Sequence, residues 1–229
     1  MNTVAPPPRT PPSPAPLYAQ VARIGKAMAS PKRLELLELL ARGEKAVETL
    51  SARAAIDMRL ASAHLRALRE AHLVATRREG KRVFYRLSGP DVVRLGIALR
   101  ETAETHLAEL RAALVAMACQ PDSLFPEGRE RLLERARAGE VLVIDVRPAD
   151  EYAAGHLPHA RSLPLDELER RLAELPTGMR IVAYCRGPFC LMSGQAVARL
   201  RAHGFDACRI DDGVGEWAAG GLPLESAAA

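Results

Sequence analysis

The spacing of apolar residues changes once along this chain, around residues 119–128, and no single fold accommodates both rhythms. Before that point leucines recur at helical intervals: Leu34, Leu37 and Leu40, with Leu36 widening the stripe, then Leu60, Leu65, Leu68 and Leu73. Beyond it, short β-branched runs at Val141–Asp145 and Ile181–Tyr184, with a weaker one near Ala207–Ile210, alternate with helical stretches at about 127–138, 165–174 and 190–203. Alternation of that kind builds an α/β fold around a mostly parallel sheet. Pro121 and Pro126 interrupt the pattern between the halves. The 229 residues thus read as a mainly-α domain over 17–118, a linker over 119–126 and an α/β domain over 127–226.

The first sixteen residues hold seven prolines, cannot pack, and read as an extended or disordered tail. No apolar run reaches the ~20 residues of a membrane span. No secretory h-region opens the chain, so a cytoplasmic protein is expected. Four cysteines are too few for a disulfide scaffold at this length. Charge divides as the periodicity does. Residues 17–118 carry 18 Lys/Arg against 11 Asp/Glu, and residues 119–229 carry 13 against 17. A basic half joined to an acidic half implies different partners, the first of them polyanionic.

Within the basic half, Ser30-Pro31 marks a helix start and Gly43 a helix end. A short helix follows at about 46–54, and Asp57 caps another with Leu60, Leu65, Leu68 and Leu73 on its core face. Val74–Glu79 and Arg82–Leu87 flank Gly80-Lys81 as a β-hairpin, and residues 90–118 form one long helix. Two short helices, a capped helix with exposed arginines and a basic hairpin make a winged helix-turn-helix. Its reading helix enters a major groove about 12 Å wide. Charge alone favours a solvated basic face; the hairpin directly after the helix turns the reading toward DNA.

The run Ser62-Ala63-His64-Leu65-Arg66-Ala67-Leu68-Arg69-Glu70-Ala71-His72-Leu73-Val74, with the wing Arg78-Glu79-Gly80-Lys81-Arg82-Val83-Phe84-Tyr85-Arg86-Leu87, resembles the ArsR (arsenical-resistance repressor) family. That resemblance implies a homodimer on a two-fold double-stranded operator with half-sites about one DNA turn apart. It makes Arg59, Ser62, His64, Arg66, Arg69, Lys81 and Arg82 the expected DNA-contacting residues, with His64 equally able to touch phosphate or brace the helix. His72 stands where the family usually has Gly, implying a costlier left-handed residue or a different turn, and Ala63 replaces a common polar residue. The family's metal sites are not expected: Ala46 and Glu48 occupy the thiolate positions, and Val93 and Leu95 leave His106 and Glu109 without partners. No metal or other cofactor is expected.

In the acidic half, Cys185-Arg186-Gly187-Pro188-Phe189-Cys190 links a strand to a helix. A thiol there faces unpaired N–H groups and a positive helix end, which favours a thiolate. Arg186 adds a cation, and Pro188 removes one N–H and pushes Gly187 toward an extended backbone.

Asp145-Val146-Arg147, Glu151-Tyr152, Gly155-His156-Leu157-Pro158, Tyr184-Cys185 and Gly213 with Glu216-Trp217 resemble a rhodanese domain. The resemblance implies sulfane-sulfur transfer through a persulfide on Cys185, within a loop formed by Arg186, Gly187 and Phe189. It assigns Asp145, Arg147 and Glu151 to bracing the loops and Trp217 to packing. His159, like His72, replaces the family's usual Gly. The loop's sixth position, commonly Arg, is Cys190, which exchanges a cation for a resolving thiol. Cys208 reads as core and Cys119 as filler or a relay thiol.

These readings combine in a homodimeric DNA-binding regulator, a repressor, that senses reactive sulfur or thiol oxidation through Cys185 and Cys190. A sulfane-sulfur donor and operator DNA are the expected partners, and no membrane. The competing reading is a rhodanese-type sulfurtransferase with an autoregulatory DNA-binding domain, and a metal- or arsenic-responsive repressor comes third.

Overall fold

The computed structural model describes residues 14–117 and 124–226. The proline tail up to residue 13, Cys119 and most of the expected linker lie outside the described residues. The chain forms two compact units, one ending at Val92 and one beginning at Val93.

In the first unit, α1 (Ala15–Met28) and α2 (Pro31–Ala41) meet at Ser30, whose backbone is extended and whose side chain makes no capping bond. Pro31 alone supplies the start signal there, through its preset φ. A two-residue strand β1 (Lys45–Ala46) leads into α3 (Val47–Arg53). Asp57 caps α4 (Met58–Glu70) as the sequence implies, its carboxylate accepting the Leu60 N–H at 2.8 Å. Strands β2 (Val74–Glu79) and β3 (Arg82–Leu87) pair antiparallel from Glu79↔Arg82 around Gly80 at φ 57°. β1 adds to β3, giving the order β1-β3-β2.

The core gathers Leu36, Leu37, Leu40, Leu50, Leu65, Leu68 and Leu73. Leu34 and Leu60 are exposed instead, because each lies off the stripe its helix turns inward. His72 closes α4 with φ 58°, so the left-handed residue is the alternative realised there.

The expected single helix over 90–118 is two, α5 (Pro90–His106) and α6 (Ala108–Met117). The break at Leu107 frees carbonyls of the preceding turn. Arg111 Nη1 donates to two of them, Glu104 O at 3.0 Å and Thr105 O.

The second unit continues with α7 (Gly128–Arg137), β4 (Val141–Asp145), α8 (Ala149–Ala154), β5 (Arg161–Ser162) and a 3₁₀ helix over Leu168–Glu174, within the helical stretch expected at about 165–174. It closes with β6 (Arg180–Cys185), α9 (Met192–Ala202), β7 (Ala207–Gly213) and α10 (Val214–Ala219). The four strands are parallel in the order β5-β4-β6-β7. The period of two sorts β6 between two cores: Ile181, Ala183 and Cys185 face one side with Val197 and Leu200, and Val182 and Tyr184 the other with Trp217. That parity places Cys185 on the side of α9. Among the described residues, no helix is long and apolar enough to cross a membrane.

Candidate functional site

On α4, Arg59, Ser62, Arg66 and Arg69 follow one another at intervals of three and four, one stripe of the helix. Ala61, Leu65 and Leu68 are fully buried on the opposite face. The three arginines are exposed, while Ser62 and His64 are half-buried. The Ser62 hydroxyl donates to Met58 O at 2.7 Å, so only its lone pairs stay open to a ligand. Lys81 and Arg82 are exposed at the hairpin tip. Arg77, on the wing too, is drawn back by Glu44 and Glu79. The arginine stripe and the hairpin tip are therefore two exposed patches of cation.

The second constellation is the loop between β6 and α9. A hydrogen bond from Cys190 N to Gly187 O at 3.0 Å closes its turn. Gly187 sits at φ 124°, a conformation open to glycine and not the ordinary extended one expected ahead of Pro188. Gly213 of β7 packs on the same backbone: a Cβ there would stand 2.7 Å from Gly187 N and run into the Arg186 carbonyl.

The two thiols differ. Cys185 is buried and donates to Cys190 O at 3.4 Å and to Ser193 Oγ at 3.3 Å. Its pKa is pushed far up, by hydrogen bonding to the Cys190 sulfur and then by burial. Cys190, less buried, is brought down to about 6: the Cys185 thiol donates to it, the backbone N–H groups of Arg186 and Met192 point at it, and Arg186 adds a favourable charge. The expectation of a thiolate on the strand-end cysteine is corrected here. The opposite directions of the two shifts favour the proton on the buried sulfur and the negative charge on Cys190.

Arg186 supplies its charge from within an ion pair. Glu151 grips it bidentately, Nη2–Oε1 2.6 Å and Nε–Oε2 2.9 Å, and its pKa rises through that pair. Phe189 is exposed, with Arg100 over its ring at 5.8 Å. Cys208 is buried in the sheet, its thiol raised to about 11 by desolvation.

Beneath the loop, Asp145 anchors a buried network. It accepts Arg147 Nη2 at 2.6 Å, Arg147 N at 3.0 Å and the Tyr184 hydroxyl at 2.6 Å, and Tyr184 in turn accepts Leu157 N at 3.1 Å. Among the described residues no group of three or more His, Cys, Asp or Glu is placed to hold a metal ion.

Residues 30–76 match the model of the bacterial regulatory protein, arsR family, and residues 129–220 that of the rhodanese-like domain. The HTH-type transcriptional regulator Rv0324 of Mycobacterium tuberculosis is 45% identical across 93% of this chain and 94% of its own. The chain belongs to the ArsR family. It is a transcriptional regulator carrying an ArsR-type winged helix-turn-helix and a C-terminal rhodanese-like domain. A sulfurtransferase of Allochromatium vinosum is 35% identical over 42% of this chain and 89% of its own. Among solved structures, the homodimeric winged helix-turn-helix DNA-binding domain Mb0332 from Mycobacterium bovis is 43% identical, covering 45% of this chain and 94% of that one with a TM-score of 0.41.

Two residues of this ArsR-family chain's loop escape sequence reasoning. Ser193, buried in the first turn of α9, is the hydroxyl against Cys185. Its only signal is its place three residues after Cys190 at the helix start. Glu216, buried on α10, accepts Gly213 N at 2.9 Å. As a member of the closing Glu-Trp pair it carries no mark of a link to the loop.

Proposed function

We propose that this regulator is a homodimeric repressor that binds operator DNA through Arg59, Ser62, His64, Arg66, Arg69, Lys81 and Arg82. It releases the DNA when sulfane sulfur oxidises the Cys185–Cys190 pair. The observation that carries this reading is the paired thiols: buried Cys185 and less buried Cys190, both free, stand at the two ends of one closed loop with Cys185 Sγ 3.4 Å from Cys190 O. The Cys190 thiolate attacks a sulfane sulfur of a polysulfide; the polysulfide S–S bond breaks, and its electron pair leaves on a shorter polysulfide. Cys185 then attacks the Cys190 sulfur of the persulfide, forms the Sγ–Sγ bond, and gives its proton to the departing hydrosulfide. The dithiol loses two electrons and one sulfur atom is reduced to sulfide.

Homodimerisation is supported by exposed apolar side chains: Leu17, Tyr18 and Val21 on α1, each about 70% accessible, and Leu95 and Leu99 on α5. Such a regulator acts where DNA lies, in the cytoplasm. A gel shift on the DNA upstream of its own coding sequence, with thiosulfate, polysulfide, arsenite and peroxide each added in turn, tests the proposal. Release by polysulfide, with Cys185–Cys190 disulfide found by mass spectrometry, is the expected outcome. Unchanged binding, or a Cys185 persulfide with Cys190 always free, overturns it.

The likeness to a sulfurtransferase supports a second reading, turnover at Cys185 with DNA binding serving the protein's own expression. Against it stands Arg186, whose charge Glu151 already neutralises and which offers an anionic donor little. Rapid thiosulfate:cyanide turnover lost in Cys185→Ser would establish the enzyme.

A further inference from the structure

Within the second unit, Arg100 of α5 reaches the sulfur loop. Its Nη1 donates to Glu216 Oε1 at 2.7 Å, and its Nε lies 3.2 Å from Glu104 Oε1, too poorly aligned for a hydrogen bond. The guanidinium also stands over Phe189, which immediately precedes Cys190 in the loop. Glu216 spends its other oxygen on Gly213 N, and a Cβ on Gly187 would come within 3.1 Å of either oxygen. The carboxylate therefore fills the place a side chain at Gly187 would take. One residue further along α10, Gly215 rests against Val93 and Ile97 of α5.

We propose that Arg100 and Glu216 are positioning residues that carry the state of the Cys185–Cys190 loop into α5, an inference resting on the sensor reading above. Forming an Sγ–Sγ bond of about 2.05 Å draws Cys190 toward Cys185. Gly187 and Phe189 belong to the same closed turn as Cys190 and must follow. Gly213 backbone packs against that turn and Glu216 fills its flank, so neither can absorb the shift in place. Glu216 is displaced, and its grip on Arg100 is lost or remade. Leaving Glu216 buried without its cation is costly, so the pair favours two discrete arrangements over a gradual drift. The same helix begins at Pro90, and its Val92 is buried in the core that carries α4. α5 therefore carries both Arg100 beside the loop and Val92 in the first unit's core.

The test uses the full chain, its upstream DNA and inorganic polysulfide. DNA affinity is measured before and after treatment for wild type, Arg100→Gln, Arg100→Lys and Glu216→Gln, with sulfur state read by mass spectrometry. Wild type is expected to lose roughly ten-fold in affinity, a usual size for coupling between sites. The Gln variants are expected to form the disulfide equally while losing less than about two-fold, and Arg100→Lys to recover part of the response. Glu216→Gln is nearly isosteric and keeps an acceptor for Gly213 N, so it carries the test if Arg100→Gln does not fold. Gln variants that respond fully, or a Lys variant that recovers nothing, overturn the relay and leave the sensor standing. Wild type that forms the disulfide without releasing DNA, or forms none, overturns the sensor reading itself and the relay with it.

Discussion

Ser193 Oγ lies 3.3 Å from Cys185 Sγ, both buried, at the first turn of the helix that follows the sulfur loop. In the resting pair the hydroxyl is one of several acceptors within reach of the single Cys185 proton. When Cys185 must become a nucleophile, the same hydroxyl and the Ser193 N–H act in the opposite sense, favouring the thiolate. Ser193→Ala is therefore expected to leave the first sulfur transfer to Cys190 unchanged. Disulfide closure slows by about ten-fold or more, the loss of a hydrogen bond to a charged group costing about 1.5–3 kcal/mol. Stopped-flow polysulfide oxidation with quenched mass spectrometry separates the steps; equal closure rates would remove Ser193 from the chemistry.

Alkylation of Cys190 by iodoacetamide should rise with pH through about 6 and level off above it, since only the thiolate reacts. In Cys185→Ala the midpoint should move upward, because the thiol that donates to Cys190 is gone. The sign for stability follows. Between about 6 and the unperturbed 9.0 the folded Cys190 has released a proton that the unfolded chain keeps. This contribution is present above 9.0 and is lost as pH falls through about 6. A flat alkylation profile between pH 5 and 8 contradicts the assignment of the thiolate.

Tyr184→Phe removes one hydroxyl from a sealed network, leaving Leu157 N without its acceptor and Asp145 short of a donor. A cost of about 1–3 kcal/mol is expected from buried groups left unsatisfied. Asp145→Ala should cost more, about 3–5 kcal/mol, by stranding the Arg147 charge in the interior. Urea unfolding of the two variants checks both the sizes and their order.

On DNA, Arg66→Ala and Arg82→Ala should be distinguishable. Arg82 stands at the wing tip, where phosphate contact is expected; its removal weakens all sequences alike and lowers the salt slope by about 0.9. Arg66, mid-stripe on α4, is expected to reach a base edge, and its loss costs about 1–3 kcal/mol on the operator with little change on random DNA. Anisotropy titrations at several salt concentrations on both DNAs decide; identical behaviour of the two variants would refute the division of labour.

Elements with strong local signals were legible before any tertiary information. The Asp57 cap, the β2–β3 turn at Gly80 and the β-branched runs at Val141–Asp145 and Ile181–Tyr184 are each marked by residues next to one another in the chain. Shorter pieces were not. β1 is two residues long and exists because Lys45 and Ala46 meet Tyr85 and Phe84, and β5 likewise needs Ile144 and Asp145 beside it. The break between α5 and α6 depends on Arg111 reaching back to two carbonyls. His72 and His159 at φ 58° and 61° show why glycine is usual at those positions, a conformational demand visible only once the backbone is traced.

For the site, residue order alone placed Cys185 at a strand end, put Cys190 five residues on, and set the basic stripe along α4. It could not decide which sulfur is ionised, because that rests on relative burial and on which N–H groups converge there. Nor could it pair Arg186 with Glu151, thirty-five residues away, or Arg100 with Glu216, 116 residues away. Proton placement and ion pairing depend on distances of a few ångströms between remote segments, and those distances exist only after the chain has folded.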